Sequence, residues 1–246
     1  GFVYTLVRKD NAFYMIIDGT LWKTYSGSYT TTDSWGKGID LASIGAVDVE
    51  LAIRGTTTGN KFSEYSFSTS ATDIDAAITA VVDTGVWNDT DGTRAVTGVT
   101  DGKAYLGDSV VITVTPQENK IIKVFANGTA LSGEINGDSY VYTYKVNSTA
   151  KITFSYEVTN LYAVSGNVTS DLSGATIKVT DSATGSATEY KSAVGAGGDY
   201  SIALPDGTYS LYVANDTHEG LIKSVVVDGA AVENVNLDKA YIKPLN

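Results

Sequence analysis

The residues that could do chemistry are few. The one histidine, His218, sits in NDTHEG with Asp216 and Glu219 close by. A Ser-His-Asp relay would have to use this ring as its base, yet no nucleophile elbow accompanies it. The residues around it favour a polar loop between two strands. Zinc sites draw on several His or Cys ligands, and the chain has no cysteine, so zinc and thiolate chemistry are not expected. Trp87–Thr93, WNDTDGT, has the look of a calcium loop. With Gly92 at the sixth place of an EF-hand, Asp89 and Asp91 fill the third and fifth, but Trp87 fails the first and Gly98 the twelfth. The stretch reads better as an acidic turn. Asp48 and Glu50 share one face of VDVELAIR, as a glycosidase carboxylate pair might, but strand alternation turns that face to solvent. Neither a catalytic set nor a metal site is expected, and no cofactor.

Aromatic residues carry the best binding candidate. Trp22, Tyr25, Tyr29 and Trp35 cluster in and just after an Asp-Gly hairpin, beside a polar stretch. Flat rings stack on sugar faces while polar neighbours hold the hydroxyls, so a glycan is the candidate ligand. The competing reading makes Trp22 and Trp35 packing residues, and the residues alone favour it. Five Asn-x-Ser/Thr sequons, at Asn88, Asn127, Asn147, Asn167 and Asn215, fall mostly in expected turns or strand ends.

These residues must be positioned by β-structure. Tyr and Thr are plentiful, prolines number three, and Gly-containing turns punctuate short apolar runs. Gly1–Arg8, Ala12–Ile17 and Thr20–Tyr25 form a meander bent at Lys9-Asp10-Asn11 and at Asp18-Gly19. Ser26–Gly38 reads as a loop, and Val47–Arg54 and Glu64–Ser68 as further strands. The period then changes. Ile74, Ile78, Val81 and Val82 recur at helical spacing, with Thr72 and Asp75 as a capping box and Gly85 as a stop, predicting one helix over Asp73–Asp83. Strands resume at Ser109–Thr115, Ile121–Phe125, Ser139–Val146 and Lys151–Tyr156. A third set follows at Ala163–Val168, Ala175–Thr180, Glu189–Lys191, Tyr200–Ala203, Thr208–Ala214, Ile222–Val227 and Val232–Leu237. Seven strands in about 80 residues suggest an aligned sandwich. The expected fold class is therefore all-β: tandem β-sandwich or immunoglobulin-like units with one short helix near 73–83, divided as 1–85, 86–159 and 160–246.

Three stretches resemble known families. Leu161–Lys239, with VSGNV, GATIKVTD, GGDYSIALPDGTYSLYV and LIKSVVVDG, resembles the carboxypeptidase regulatory-like, transthyretin-type sandwich, which implies a non-catalytic accessory or stalk module. In this hairpin Tyr200, Ile202 and Leu204 lead into Pro205-Asp206-Gly207, and Tyr209, Leu211 and Val213 return on the same face. The related collagen-adhesin B-type domain can carry a Lys–Asn isopeptide bond. That bond needs a lysine in the first strand, and Ala163–Val168 has none. Ala95–Glu157, with LGDSVVITVTP, IIKVFANGTAL, YVYTYKV and AKITFSYE, resembles internalin-B-repeat-like bacterial repeats, which implies an extracellular spacer or adhesion role. Gly1–Ala80 resembles the C-terminal half of a concanavalin or laminin-G-like lectin sandwich, whose middle carries the LVR…IDG-x-LW meander. Half a sandwich exposes strand edges and an apolar face, so an absent segment, the neighbouring unit or another copy must cover it.

Charge sets the surroundings. A net charge of −11 argues against nucleic acid and anionic membranes as partners. No apolar run approaches the ~20 residues that span a bilayer, so no membrane insertion is expected. The sequence opens on Gly1 and closes on YIKPLN, which reads as the start of a linker, so a processed chain or a fragment is expected. The leading expectation is a non-enzymatic extracellular or cell-surface adhesion module, with carbohydrate binding through the first unit. One alternative is a structural subunit of a filament, sheath or phage particle that self-associates by strand complementation. Another is an accessory region of a secreted glycoside hydrolase.

Overall fold

The structure, a computed structural model, describes residues 3–9, 12–26, 28–29, 39–40, 68–168, 172–215, 218–236 and 243–244. It is an all-β chain with one α-helix among the described residues. Two compact units are formed. One comprises Gly1–Trp87, Arg94–Val114 and Val124–Tyr156; the other comprises Asn88–Thr93, Thr115–Lys123 and Glu157–Asn246.

The first unit opens on an antiparallel meander of β1 (Tyr4–Lys9), β2 (Ala12–Ile17) and β3 (Thr20–Ser26). Asp18 and Gly19 both take positive φ, 48° and 74°, the mirror-image turn that matches strand twist. Short β4 (Ser28–Tyr29) and β5 (Ile39–Asp40) pair within the stretch expected to be a loop and at its end. The strands expected at Val47–Arg54 and Glu64–Ser68 lie largely outside the described residues, as do Asp48 and Glu50. The meander turns Val7 and Ile16 inward. It is tied to the strands that follow: the Leu21 amide donates to the Asn147 carbonyl and the Thr149 amide to Gly19. The stretch 147–149 of the same unit is thus bonded to the turn end of the meander.

The helix differs from the expectation at both ends. α1 runs Ala71–Ile78, and its N-cap is Ser70, whose hydroxyl accepts from the Asp73 amide. The Ser70-x-x-Asp73 spacing does the capping, two residues before the Thr72–Asp75 pair. Residues 79–83 form β6 (Thr79–Asp83), not a last helical turn. Thr79, Val81 and Val82 are β-branched, and Ala80 and Val82 turn inward while Val81 and Asp83 face out. Ile78 and Val82 fit both periods, and the sheet decides. β6 pairs in parallel with β14 (Ile152–Asn160), Val82 opposite Ile152.

Between these lie a 3-10 turn at Asp89–Asp91, β7 (Gly92–Thr97), β8 (Lys103–Tyr105), β9 (Ser109–Pro116), β10 (Lys120–Ala126), β11 (Thr129–Ala130), β12 (Gly133–Asn136) and β13 (Ser139–Lys145). One sheet has the order β11-β10-β14-β6-β8, the other β12-β13-β9-β7. Val110, Ile112 and Val114 of β9, Val124 of β10 and Phe154 of β14 are buried, and the Tyr144 ring meets Phe154 edge-on at 5.7 Å.

The second unit carries a sandwich of β15 (Tyr162–Asn167), β16 (Thr176–Asp181), β17 (Ala187–Ala193), β18 (Asp199–Leu204), β19 (Gly207–Ala214), β20 (His218–Val227) and β21 (Lys243–Pro244). β15 and β18 form one sheet; the other has the order β17-β16-β19-β20-β21. The turn at Pro205-Asp206-Gly207 therefore does not close a hairpin within one sheet, as the sequence suggests. It carries the chain from one sheet to the other. Tyr200, Ile202 and Leu204 enter the same core as Tyr209, Leu211 and Val213, from the opposite layer. Alternation records which side chains turn inward, not which strand supplies the hydrogen bonds. Each fully buried aliphatic here contributes about 1.5–3 kcal/mol. The strand expected at Val232–Leu237 is, over its described residues, a single parallel bridge, Val164 to Val232.

Candidate functional site

The hairpin that carries Trp22 is built by its turn and by a bulge. β2 and β3 pair with Ile17 opposite Thr20 and Ile16 opposite Leu21, then shift so that Met15 faces Lys23. Trp22 is the extra residue, which frees its backbone from the ladder and lets the side chain be aimed away from the core. Trp22 is 62 % exposed. Nearby on the meander, Tyr4 and Leu6 are also exposed, opposite Ile17 and Met15. Tyr25 follows on β3, opposite Phe13, and Tyr29 lies on β4, opposite Ile39. The side chains of Tyr25 and Tyr29, and all of Trp35, lie outside the described residues. Among the described residues, the hairpin presents a solvent-facing indole, able to stack on an apolar or sugar face.

A second aromatic group surrounds Arg94 of β7. Its Nη1 donates to the Thr84 carbonyl at 2.7 Å, to the Gly85 carbonyl at 3.3 Å and to the Tyr156 hydroxyl at 3.0 Å. Its guanidinium carbon lies 5.5 Å from the Trp87 ring and 5.2 Å from the Tyr156 ring, and those rings meet edge-on. Burial pushes the Tyr156 phenol up, and the Arg94 bond opposes it. The cluster fastens residues 84–87 to β7 and β14. Lys9 is held similarly, 2.6 Å from Asp75 and 4.0 Å over the Tyr105 ring. The Asp75 bond, then Tyr105, hold its ammonium well above the usual lysine range. No local signal in the sequence marks these sets, since Tyr156 is 62 residues from Arg94 and Asp75 is 66 from Lys9.

The acidic stretch expected as a turn is one. The Asn88 side chain accepts from the Thr90 amide, and Asp91 is bound by Lys120 at 2.5 Å. Lys120 also reaches the Thr90 carbonyl, so Asp91 is already paired with a cation of the protein itself. Among the described residues, no group of three His, Cys, Asp or Glu is placed to hold a metal ion. The backbone of His218 begins β20, opposite Pro244, where the sequence suggested a loop. Of the sequon asparagines, Asn167 donates its amide to Gly197 and Asp199, while Asn127 accepts from the Thr153 amide.

In the second unit the buried Tyr200 hydroxyl donates to the Val235 carbonyl at 2.6 Å, and burial pushes the phenol far above its ordinary pKa. Gly166 lies so close to Val235 that a Cβ would meet its carbonyl oxygen at 2.1 Å. Residues 232–236 are thereby seated on β15.

No protein-family model and no curated protein matches the chain. A solved structure similar to it is that of the T6 backbone pilin of serotype M6 Streptococcus pyogenes, which has a modular three-domain structure decorated with variable loops and extensions. The two are 10% identical over 55% of this chain and 51% of the pilin, with a TM-score of 0.23. The matched region thus spans about half of the pilin chain.

Proposed function

We propose that this chain is a non-enzymatic structural module of an extracellular surface, acting as a spacer or display element. The observation that carries this reading is how its described interior is built. Every buried side chain there is hydrophobic, in β-strands closed by tight turns, and the polar groups that are tied down brace strands and turns. Arg94, Lys9, Lys120 and Tyr200 each spend their hydrogen bonds on the scaffold. The resemblances of Leu161–Lys239 and Ala95–Glu157 to stalk and spacer modules point the same way, and the acidic charge keeps such surfaces apart. Surface labelling of intact source cells with a membrane-impermeant amine reagent tests it. Modified lysines identified by mass spectrometry support the reading, and labelling only after lysis overturns it.

A second reading, glycan binding through the first unit, is favoured by the exposed Trp22 indole on its bulge. A polysaccharide array with the wild-type chain and with Trp22→Ala decides it: binding lost in the variant supports it, and no binding by either chain removes it. Assembly into a filament would use open strand edges. β12, at one edge of its sheet, is fully exposed and carries Ile135, 77 % exposed. A stable monomer at high concentration in light scattering would argue against that version.

A further inference from the structure

In the second unit, β15 and the segment 232–236 lie side by side and run in the same direction. β15, its first sandwich strand, pairs with β18 on one side. On its other side lies the segment 232–236, which follows β20 in the chain. The Val232 amide donates to the Ala163 carbonyl at 2.8 Å, and the Ser165 amide donates to the Val232 carbonyl at 2.9 Å. The Val235 amide donates to Ser165 at 3.0 Å, and the Asn167 amide to the Asn236 side chain at 2.8 Å. The Val164–Val232 bridge is parallel. The segment is also locked from beneath: Val235 is buried, its carbonyl takes the Tyr200 hydroxyl, and Gly166 allows the two backbones to touch.

We propose that this parallel seam is a mechanical clamp. When the chain is pulled from both ends, tension enters β15 at Tyr162 and leaves the segment beyond Asn236. Because the stretches are parallel, those two points lie at opposite ends of the seam. The pull runs along the strands, across bonds that lie transverse to it, and loads all of them together. An antiparallel pair pulled from one end opens instead one bond at a time. The β20–β21 pairing is of that kind and only two residues long, so it peels first and passes the load to the seam. Forced unfolding is governed by the barrier to opening, which is where simultaneous loading acts. A module with this seam resists extension better than its equilibrium stability alone would indicate.

The clamp deepens the reading of a structural surface module and rests on it for its purpose, but its mechanical resistance comes from the direction and bonding of the seam. If surface labelling fails, that reading falls and the clamp stands; if the pulling experiment fails, the reverse holds.

The chain has no cysteine, so thiol handles can be placed at will in it. Asn160→Cys with a C-terminal tag loads the seam in shear. Ser173→Cys with Ala193→Cys grips β16 and β17 at the same end, where Thr176 faces Ala193, and unzips them. Optical-tweezers extension at equal loading rate is expected to give an unfolding force about twofold higher or more in the shear geometry. Val232→Pro removes the bond to Ala163, and Asn236→Ala removes the bond to Asn167. Each is expected to lower the shear force and leave the unzipping force unchanged. Asn236→Ala alters only an exposed side chain, so it keeps the test sharp if Val232→Pro does not fold. Equal forces in the two geometries, or a shear force untouched by Asn236→Ala, would overturn the clamp.

Discussion

Gly166→Ala offers the most direct test of how the second unit is held together. A Cβ built on Gly166 falls 2.1 Å from the Val235 oxygen, 2.5 Å from its carbon and 3.0 Å from its nitrogen. All three are backbone atoms, so no side chain can swing aside. Restoring an ordinary contact requires segment 232–236 to withdraw by about 1 Å, which stretches two hydrogen bonds past their working range. The Val235–Ser165 bond is worth about 1 kcal/mol. The Tyr200 hydroxyl, buried and deprived of its acceptor, adds about 1–3 kcal/mol. Partial exposure of Val235 adds about 1 kcal/mol more. The expected loss is therefore about 3–5 kcal/mol, or more than about 10 °C in Tm for a unit of this size. Gly185→Ala is the control: φ is +68° and the Cβ space is open, so only backbone strain of about 1 kcal/mol is expected. Urea unfolding followed by circular dichroism, with hydrogen exchange read on peptides covering 162–168 and 199–204, measures both. The reasoning is refuted if Gly166→Ala costs no more than Gly185→Ala, or if exchange in those peptides is unchanged.

Three further outcomes are expected. Tyr200 is protonated in its buried bond, and burial raises its folded pKa above the unfolded value of 10.0. The stability it supplies is fully present below that value and is lost as pH rises through the folded pKa, so Tyr200→Phe should flatten the fall in stability above about pH 10, measured by urea melts across pH. Arg94→Lys cannot donate to Thr84, Gly85 and Tyr156 in one plane, and a loss of about 1–3 kcal/mol is expected, with a shifted Trp87 emission. Arg94→Lys with unaltered fluorescence and stability would contradict the cluster. Gly19→Val sets a β-branched residue at φ 74°, and a Cβ there already lies 3.2 Å from Thr149 Oγ1. It should cost about 1–2 kcal/mol and speed amide exchange in β2 and β3, while Asp18→Asn, which tolerates the same φ, should leave exchange near wild type.

Much of the fold was legible from turn chemistry and alternation. Ala12–Ile17 emerges as β2 with the same limits, and the Asp18-Gly19 bend has the positive φ its residues imply. The strands at Ser109, Ile121 and Ser139 shift by a residue or so. The errors cluster where two readings share the same residues. Ile78 and Val82 satisfy a helical period and a strand period, and the pairing of Val82 with Ile152 makes residues 79–83 a strand. β7, β8, β11 and β12 are not among the strands expected from the sequence; β12 lies wholly exposed at a sheet edge and needs no apolar pattern. Of the candidate binding aromatics, Trp22 is placed in solvent by a bulge that no local pattern announces.

The sequence by itself determined the all-β class, the turns and which side chains turn inward, because φ preferences and a two-residue period are local properties of the chain. Tertiary structure decided the partners. Whether Tyr200, Ile202 and Leu204 share a sheet with Tyr209, Leu211 and Val213 or face them across a core, and whether residues 232–236 lie parallel to β15, are questions of pairing. Strand pairing is settled by hydrogen bonds and contacts between residues far apart in the chain, such as Ser165 and Val235, 70 positions apart. The unpaired backbone presents the same donors and acceptors at every residue, so the choice among partners rests with the packed whole.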